Sequence, residues 1–116
     1  MIFIYLFEDN KKYADLCQFI MEKIQKGDNA GIVSSLSLFE FFVGKYKSNI
    51  DFDSKEYINI FYNMPNLRTV FPTVNILDYA AQIRGVFNTK PMDSICYATA
   101  SIMDADLFIT NDKDLL

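Results

Sequence analysis

The sequence predicts an α/β fold, with a short parallel sheet flanked by helices. Three observations predict it. Short apolar runs ("AGIVSS", "LRTVF", "ADLFIT") alternate with longer segments whose apolar residues recur at three- and four-residue steps. Residues that start and stop helices stand between them. The 116 residues, about half of them apolar, suffice for one hydrophobic core and not for two, so residues 1–116 read as a single domain.

Ile2 to Phe7 is apolar and too short for its period to separate strand from helix. Asn10 caps a predicted helix from Lys11 to about Lys26, with Tyr13, Leu16, Cys17, Ile20 and Ile24 on one stripe, and Gly27 stops it. "AGIVSS" is a buried strand. "SSLSLFEFFVGKY" (34–46) follows as a helix capped by Ser34 or Ser35. A helix from Asp53 or Ser54 to about Asn63 ends at Pro65 and Asn66, and "LRTVF" is a strand. Val74 to Phe87 is amphipathic, with Ile76, Leu77, Ala80, Ile83 and Phe87 on its stripe. Pro91 opens a helix that runs to Met103. "ADLFIT" is the last strand, and "NDKDLL" begins one more helix.

The net charge of −4, with no long basic run, gives no bulk signal for nucleic acid, although a cation held by acids reverses the sign locally. The chain has no histidine, which removes His general bases, Ser-His-Asp triads and Cys/His zinc sites. Cys17 and Cys96 read as buried reduced thiols. The opening apolar run is far below the ~20 residues of a membrane span and lacks the marks of a secretory leader, which predicts a cytoplasmic protein without a membrane partner. Eleven Phe and seven Tyr are many for this length, so an apolar partner surface is expected.

Three carboxylates remain as carriers of chemistry. Glu40 shares a helix face with Leu36, Phe39 and Val43, which turns it inward, where an ionised carboxylate needs a cation, a donor or a metal. It could instead sit at the stripe's edge and reach Lys47 or water. Asp93 lies in the first turn of the Pro91 helix, where free N–H groups favour a carboxylate, with or without a ligand. Asp112 follows the last strand, at the edge where ligands of open α/β sheets bind; it or Asn111 could equally cap the next helix. Asp114 is a secondary ligand or a surface charge, and Thr110 and Asn111 could hold a water or a phosphate. Oxygen ligands without His or Cys favour Mg²⁺ or Mn²⁺, and the chemistry implied is metal-assisted phosphodiester hydrolysis. Lys45, Lys47, Arg84, Lys90 and Lys113 lie near the acidic segments and are candidates for phosphate contact.

Four stretches in order, "IFIYLFEDN", "VSSLSLFEFFVG", "LRTVFP" and "MDSICYATASIMDADLFITNDKDLL", resemble the PIN-domain family, and within it the VapC-like toxins of bacterial and archaeal toxin–antitoxin pairs. The resemblance implies a PIN-like three-layer fold and an Mg²⁺-dependent endoribonuclease acting on RNA, paired with an antitoxin protein and homodimeric. Glu40, Asp93 and Asp112 match three of the family's four metal-site acids. Ser35 or Ser37 matches its hydroxyl near the glutamate, and Thr110 and Asn111 match the residues before the last acid. The family's first strand and its aspartate precede a segment like "FIYL", so the N-terminal central strand is expected to be missing here and the domain truncated at both ends. Glu8 and Asp9 are no substitutes. A central strand buries about five apolar side chains at ~1.5–3 kcal/mol each, comparable with a domain's whole stability. Three acids should also bind metal more weakly than four. The competing reading is a catalytically weak or inactive PIN-like protein that binds an antitoxin or another partner through "FEFFVGKY" and "YINIFYN".

Overall fold

The computed structural model describes residues 1–5, 19, 22–48 and 51–110, with backbone alone at 5, 48, 109 and 110. Among the described residues four strands, β1 (Ile2–Tyr5), β2 (Gly31–Ser34), β3 (Leu67–Val70) and β4 (Leu107–Thr110), form one sheet in the order β3-β2-β1-β4. Every pairing is parallel. The described helices are α1 (Ser35–Ser48), α2 (Lys55–Asn63), α3 (Val74–Phe87) and α4 (Pro91–Ile102). The expected helix 11–26 and the helix after "TND" lie largely or wholly outside the described residues, although 22–25 are helical and Gly27 adopts the positive φ (88°) of a helix stop.

The expected gap at the middle of the sheet is not found. β1 occupies an inner position, with Phe3 paired to Ile32 on one side and Phe108 on the other. An inner parallel strand must be apolar on both faces, and "IFIY" satisfies that: Phe3 is 0% exposed and Ile4 is buried on the opposite face. β1 itself carries no acid, and Glu8 and Asp9 lie outside the described residues.

One face of the sheet presents Phe3, Ile32, Val70 and Phe108 to α3 and α4, which supply Ile76, Ala80, Cys96 and Ala100. Phe108 stacks between Phe3 (centroids 5.1 Å apart) and Tyr97 of α4 (4.7 Å). Small residues let α4 approach this closely: Ser94, Ala98 and Ala100 are all buried. On the other face, Ile4, Val33 and Leu67 line a small cavity with Leu38 and Phe41 of α1 and Phe61 of α2. Gly31 fits closely there: a Cβ would come within 2.7 Å of Ile24 Cδ1, and that side chain would have to move.

Two expected stripes shift. On α1, Ser37, Leu38 and Phe41 turn toward the sheet, while Phe39 is 59% exposed. On α3, Ile76 and Ala80 are buried as expected, but Leu77 and Phe87 face outward. Both helices are apolar around most of their circumference, so the three-and-four pattern admits more than one inward face. Among the described residues no helix is long and apolar enough to cross a membrane.

Candidate functional site

The site is built where β2 passes directly into α1. Ser34, the last residue of β2, is fully buried, and its hydroxyl accepts from Leu36 N (3.2 Å). Its carbonyl accepts from Ser37 Oγ (2.8 Å). Ser34, not Ser35, therefore caps the helix, and the first turn of α1 is fixed to the carboxyl end of the sheet. Glu40 follows on that helix and is half-buried. Among the described residues it forms no ion pair with Lys47, which is exposed.

Asp93 reaches the same region from α4. Residues 103–106 return the chain to the amino edge of the sheet, where Asp106 N donates to Met1 O (2.9 Å). Asp93, nine residues before the end of α4, is ~14 Å from that end along a helix rising 1.5 Å per residue. It thus lies toward the carboxyl ends of the strands. Its side chain is buried, at 2% exposed, in the first turn of the helix.

The thiol of Cys96 reports on both acids. Its pKa is pushed up from 9.0 to about 12, first by burial and then by the charges of Asp93 and Glu40. The structure thus places Glu40 and Asp93, 53 residues apart in sequence, within electrostatic reach of one buried thiol. Asn111, Asp112, Lys113 and Asp114 lie outside the described residues, and Thr110 is described in backbone only, opposite Tyr5 in the sheet register. Among the described residues no group of three acids, Cys or His is arranged to hold a metal.

Glu40 and Asp93 offer oxygen donors only. Burial, with the charges of both acids, keeps the Cys96 thiol protonated at neutral pH. Such a pair suits Mg²⁺, which is commonly held by one or two carboxylates together with substrate phosphates.

The expected helpers separate. Ser37 is buried and bonded to Ser34 O, while Ser35 borders the groove described below. Arg84 donates to the carbonyl of Thr89 (2.5 Å). Lys45 lies over the rings of Phe41 (5.6 Å) and Tyr57 (6.0 Å). Lys47 and Lys90 are exposed.

The sequence offers Ser34 as one of two caps for α1 but does not point to Thr89, whose hydroxyl meets that of Ser94. The signal at Thr89 is faint: a hydroxyl just before a helix start, in "NTKP".

On the far side of α1 an apolar groove of about 780 Å³ is lined by Phe39, Phe42, Phe61, Tyr62, Arg68 and Phe71, among others. β3 lies at the edge of the described sheet and contributes Leu67 to Thr69 to this groove.

No curated protein and no solved structure matches the chain. The model of the PIN domain matches residues 1–116, and the chain belongs to the PIN-domain family.

Proposed function

We propose that the chain is a metal-dependent endoribonuclease, the VapC-like toxin component of a toxin–antitoxin pair, cleaving RNA phosphodiester bonds in the cytoplasm. Membership of the PIN-domain family supports a nuclease-related function in general. The observation that carries the finer reading is the buried carboxylate of Asp93, which together with half-buried Glu40 acts electrostatically on one buried thiol.

Glu40 and Asp93 would hold Mg²⁺ or Mn²⁺, with Asp112 as a third ligand. Such an ion supplies Lewis-acid polarisation of the phosphodiester and a more acidic water. The chain's own residues do the rest. Asp93 is held in the first turn of α4, where the helix dipole favours a negative group. Ser37 ties the first turn of α1, and with it the approach of Glu40, to the end of β2. Thr110, Asn111 and Asp114 are the supporting candidates; Ser35 borders the groove instead. Lys47 and Lys90 are the exposed cations for phosphate contact; the Arg84 guanidinium already serves the Thr89 carbonyl.

The test is Mg²⁺-dependent cleavage of a structured RNA by the full chain and by Asp93→Asn and Glu40→Gln. Each variant should lose about 10²-fold or more, the usual cost of removing a group that stabilises transition-state charge. Cleavage that survives Asp93→Asn would overturn the site.

The groove favours a second reading, a catalytically weak or inactive interaction protein. Its exposed aromatics suit an apolar segment of an antitoxin, of another partner or of a second copy. A metal titration separates the readings. Bound Mg²⁺ raises the melting temperature in proportion to the logarithm of its concentration over Kd, whereas a scaffold without the metal site is indifferent.

A further inference from the structure

The helix that carries Asp93 begins without an ordinary cap. Lys90 stands at the N-cap and makes no side-chain capping hydrogen bond. Pro91 follows, at a position where its missing N–H leaves no donor unpaired. The turn is held instead from the preceding elbow, residues 88–90. Ser94 N and Ser94 Oγ both donate to Lys90 O, each at 2.9 Å. A serine hydroxyl has one proton. Ser94 Oγ therefore receives in its contact with Thr89 Oγ1, and Thr89 is the donor.

The elbow is gripped from its other side by α3. Asn88 adopts the left-handed conformation (φ 54°, ψ 37°), and its N–H donates to Arg84 O (2.9 Å). The Arg84 guanidinium reaches over the same elbow to the Thr89 carbonyl. Thr89 is thus bonded at its carbonyl to α3 and at its hydroxyl to the residue next to Asp93. A helix start without such ties frays, and a carboxylate on a fraying turn does not keep one direction.

We propose that Thr89 and Arg84 are positioning residues, which lock the α3–α4 elbow to the first turn of α4 and so fix the turn that carries the Asp93 carboxylate. The inference rests on the reading of Asp93 as a metal-holding residue. Groups that orient a metal ligand without touching the metal are worth about 10–100-fold in metal affinity.

The experiment uses the full chain without RNA and reads Mn²⁺ binding by calorimetry in the wild type, Thr89→Val and Thr89→Ser. Thr89→Val keeps the shape and removes the donor; it should weaken binding about 10–100-fold. Thr89→Ser keeps the donor and should restore it to near the wild-type value. Unchanged binding in Thr89→Val, or a loss that Thr89→Ser does not restore, overturns the inference. Should Thr89→Val fail to fold, Arg84→Met, at an exposed side chain, is read in the same way against Arg84→Lys.

Failure of the nuclease reading looks different: the wild type itself would take up no Mn²⁺. Amide exchange then decides. Faster exchange at Ser94 to Cys96 in Thr89→Val, restored in Thr89→Ser and not spreading to Ala98–Ala100, upholds the positioning role. Equal protection throughout overturns it.

Discussion

The two sides of α1 are built on different principles. Toward α4, small polar side chains are buried and each is tied by a directional bond: Ser94 to Lys90 O, Thr99 to Ile95 O (2.7 Å). Toward α2 and β3, rings meet at 5.4–6.4 Å (Phe41 with Tyr57, Phe41 with Phe61, Phe42 with Phe61), and α2 has no buried residue at all. Directional bonds fix angles, which a pair of metal-holding carboxylates needs. Ring contacts at the surface tolerate sliding, which suits a face that receives a partner. One helix thus carries a rigid polar side and an adaptable apolar one.

The largest effect that tests this contrast is on stability. Phe3 is completely buried between Ile32 and Phe108, under the side that holds Asp93. Phe3→Ala should cost ~3–5 kcal/mol in urea unfolding, enough to consume much of a domain's stability. Phe61, half-buried in the ring cluster, should cost about 1–2 kcal/mol when changed to Ala. Equal losses would break the comparison and make the aromatic side part of the core.

Much of the polar side was legible in the sequence. Pro91 announces a helix start, and an acid two residues on falls in the first turn whatever the tertiary fold. Helical spacing puts Glu40 on an expected inward stripe with Leu36, Phe39 and Val43; Glu40 is half-buried, while Phe39 of the same stripe is exposed. Phe39 was misread because α1 is apolar nearly all round and packs two ways, onto the sheet and onto α2. "IFIY" could not be assigned by period, since its inner place is fixed by neighbours from residues 31–34 and 107–110. The Thr89–Ser94 contact has no periodic signature, because it depends on how the 88–90 elbow folds back on α4.

A smaller effect sharpens the polar side through Cys96. Burial and two negative charges raise its pKa to about 12, so the folded chain holds the thiol proton more tightly than the unfolded chain does. The sign follows: this contribution to stability is intact below about pH 9 and is lost as pH rises toward 12. In a Cys17→Ser background, thiolate absorbance should show Cys96 titrating earlier in Glu40→Gln and earlier still in Asp93→Asn, whose charge has the larger influence of the two. Burial remains the leading cause, so neither variant should return the thiol to 9.0. A titration indifferent to both would separate the acids in space and remove the basis of a shared site.

The smallest expected effect is on the free chain, at the groove. Tyr62 is 84% exposed and Phe39 more than half exposed, so Tyr62→Ala and Phe39→Ala should each change stability by no more than about 0.5 kcal/mol. Their Mn²⁺ affinity should be that of the wild type, because both residues line the groove, on the far side of α1 from Asp93. What they should change is association. If the groove receives an apolar segment, rings at its centre carry a large part of the binding energy, and either truncation should weaken capture of that segment by tenfold or more. Self-association measured by sedimentation distinguishes a second copy from an antitoxin peptide as the occupant. Variants that fold, bind metal and associate like the wild type would reduce the groove to a surface feature and leave α1 with one functional side.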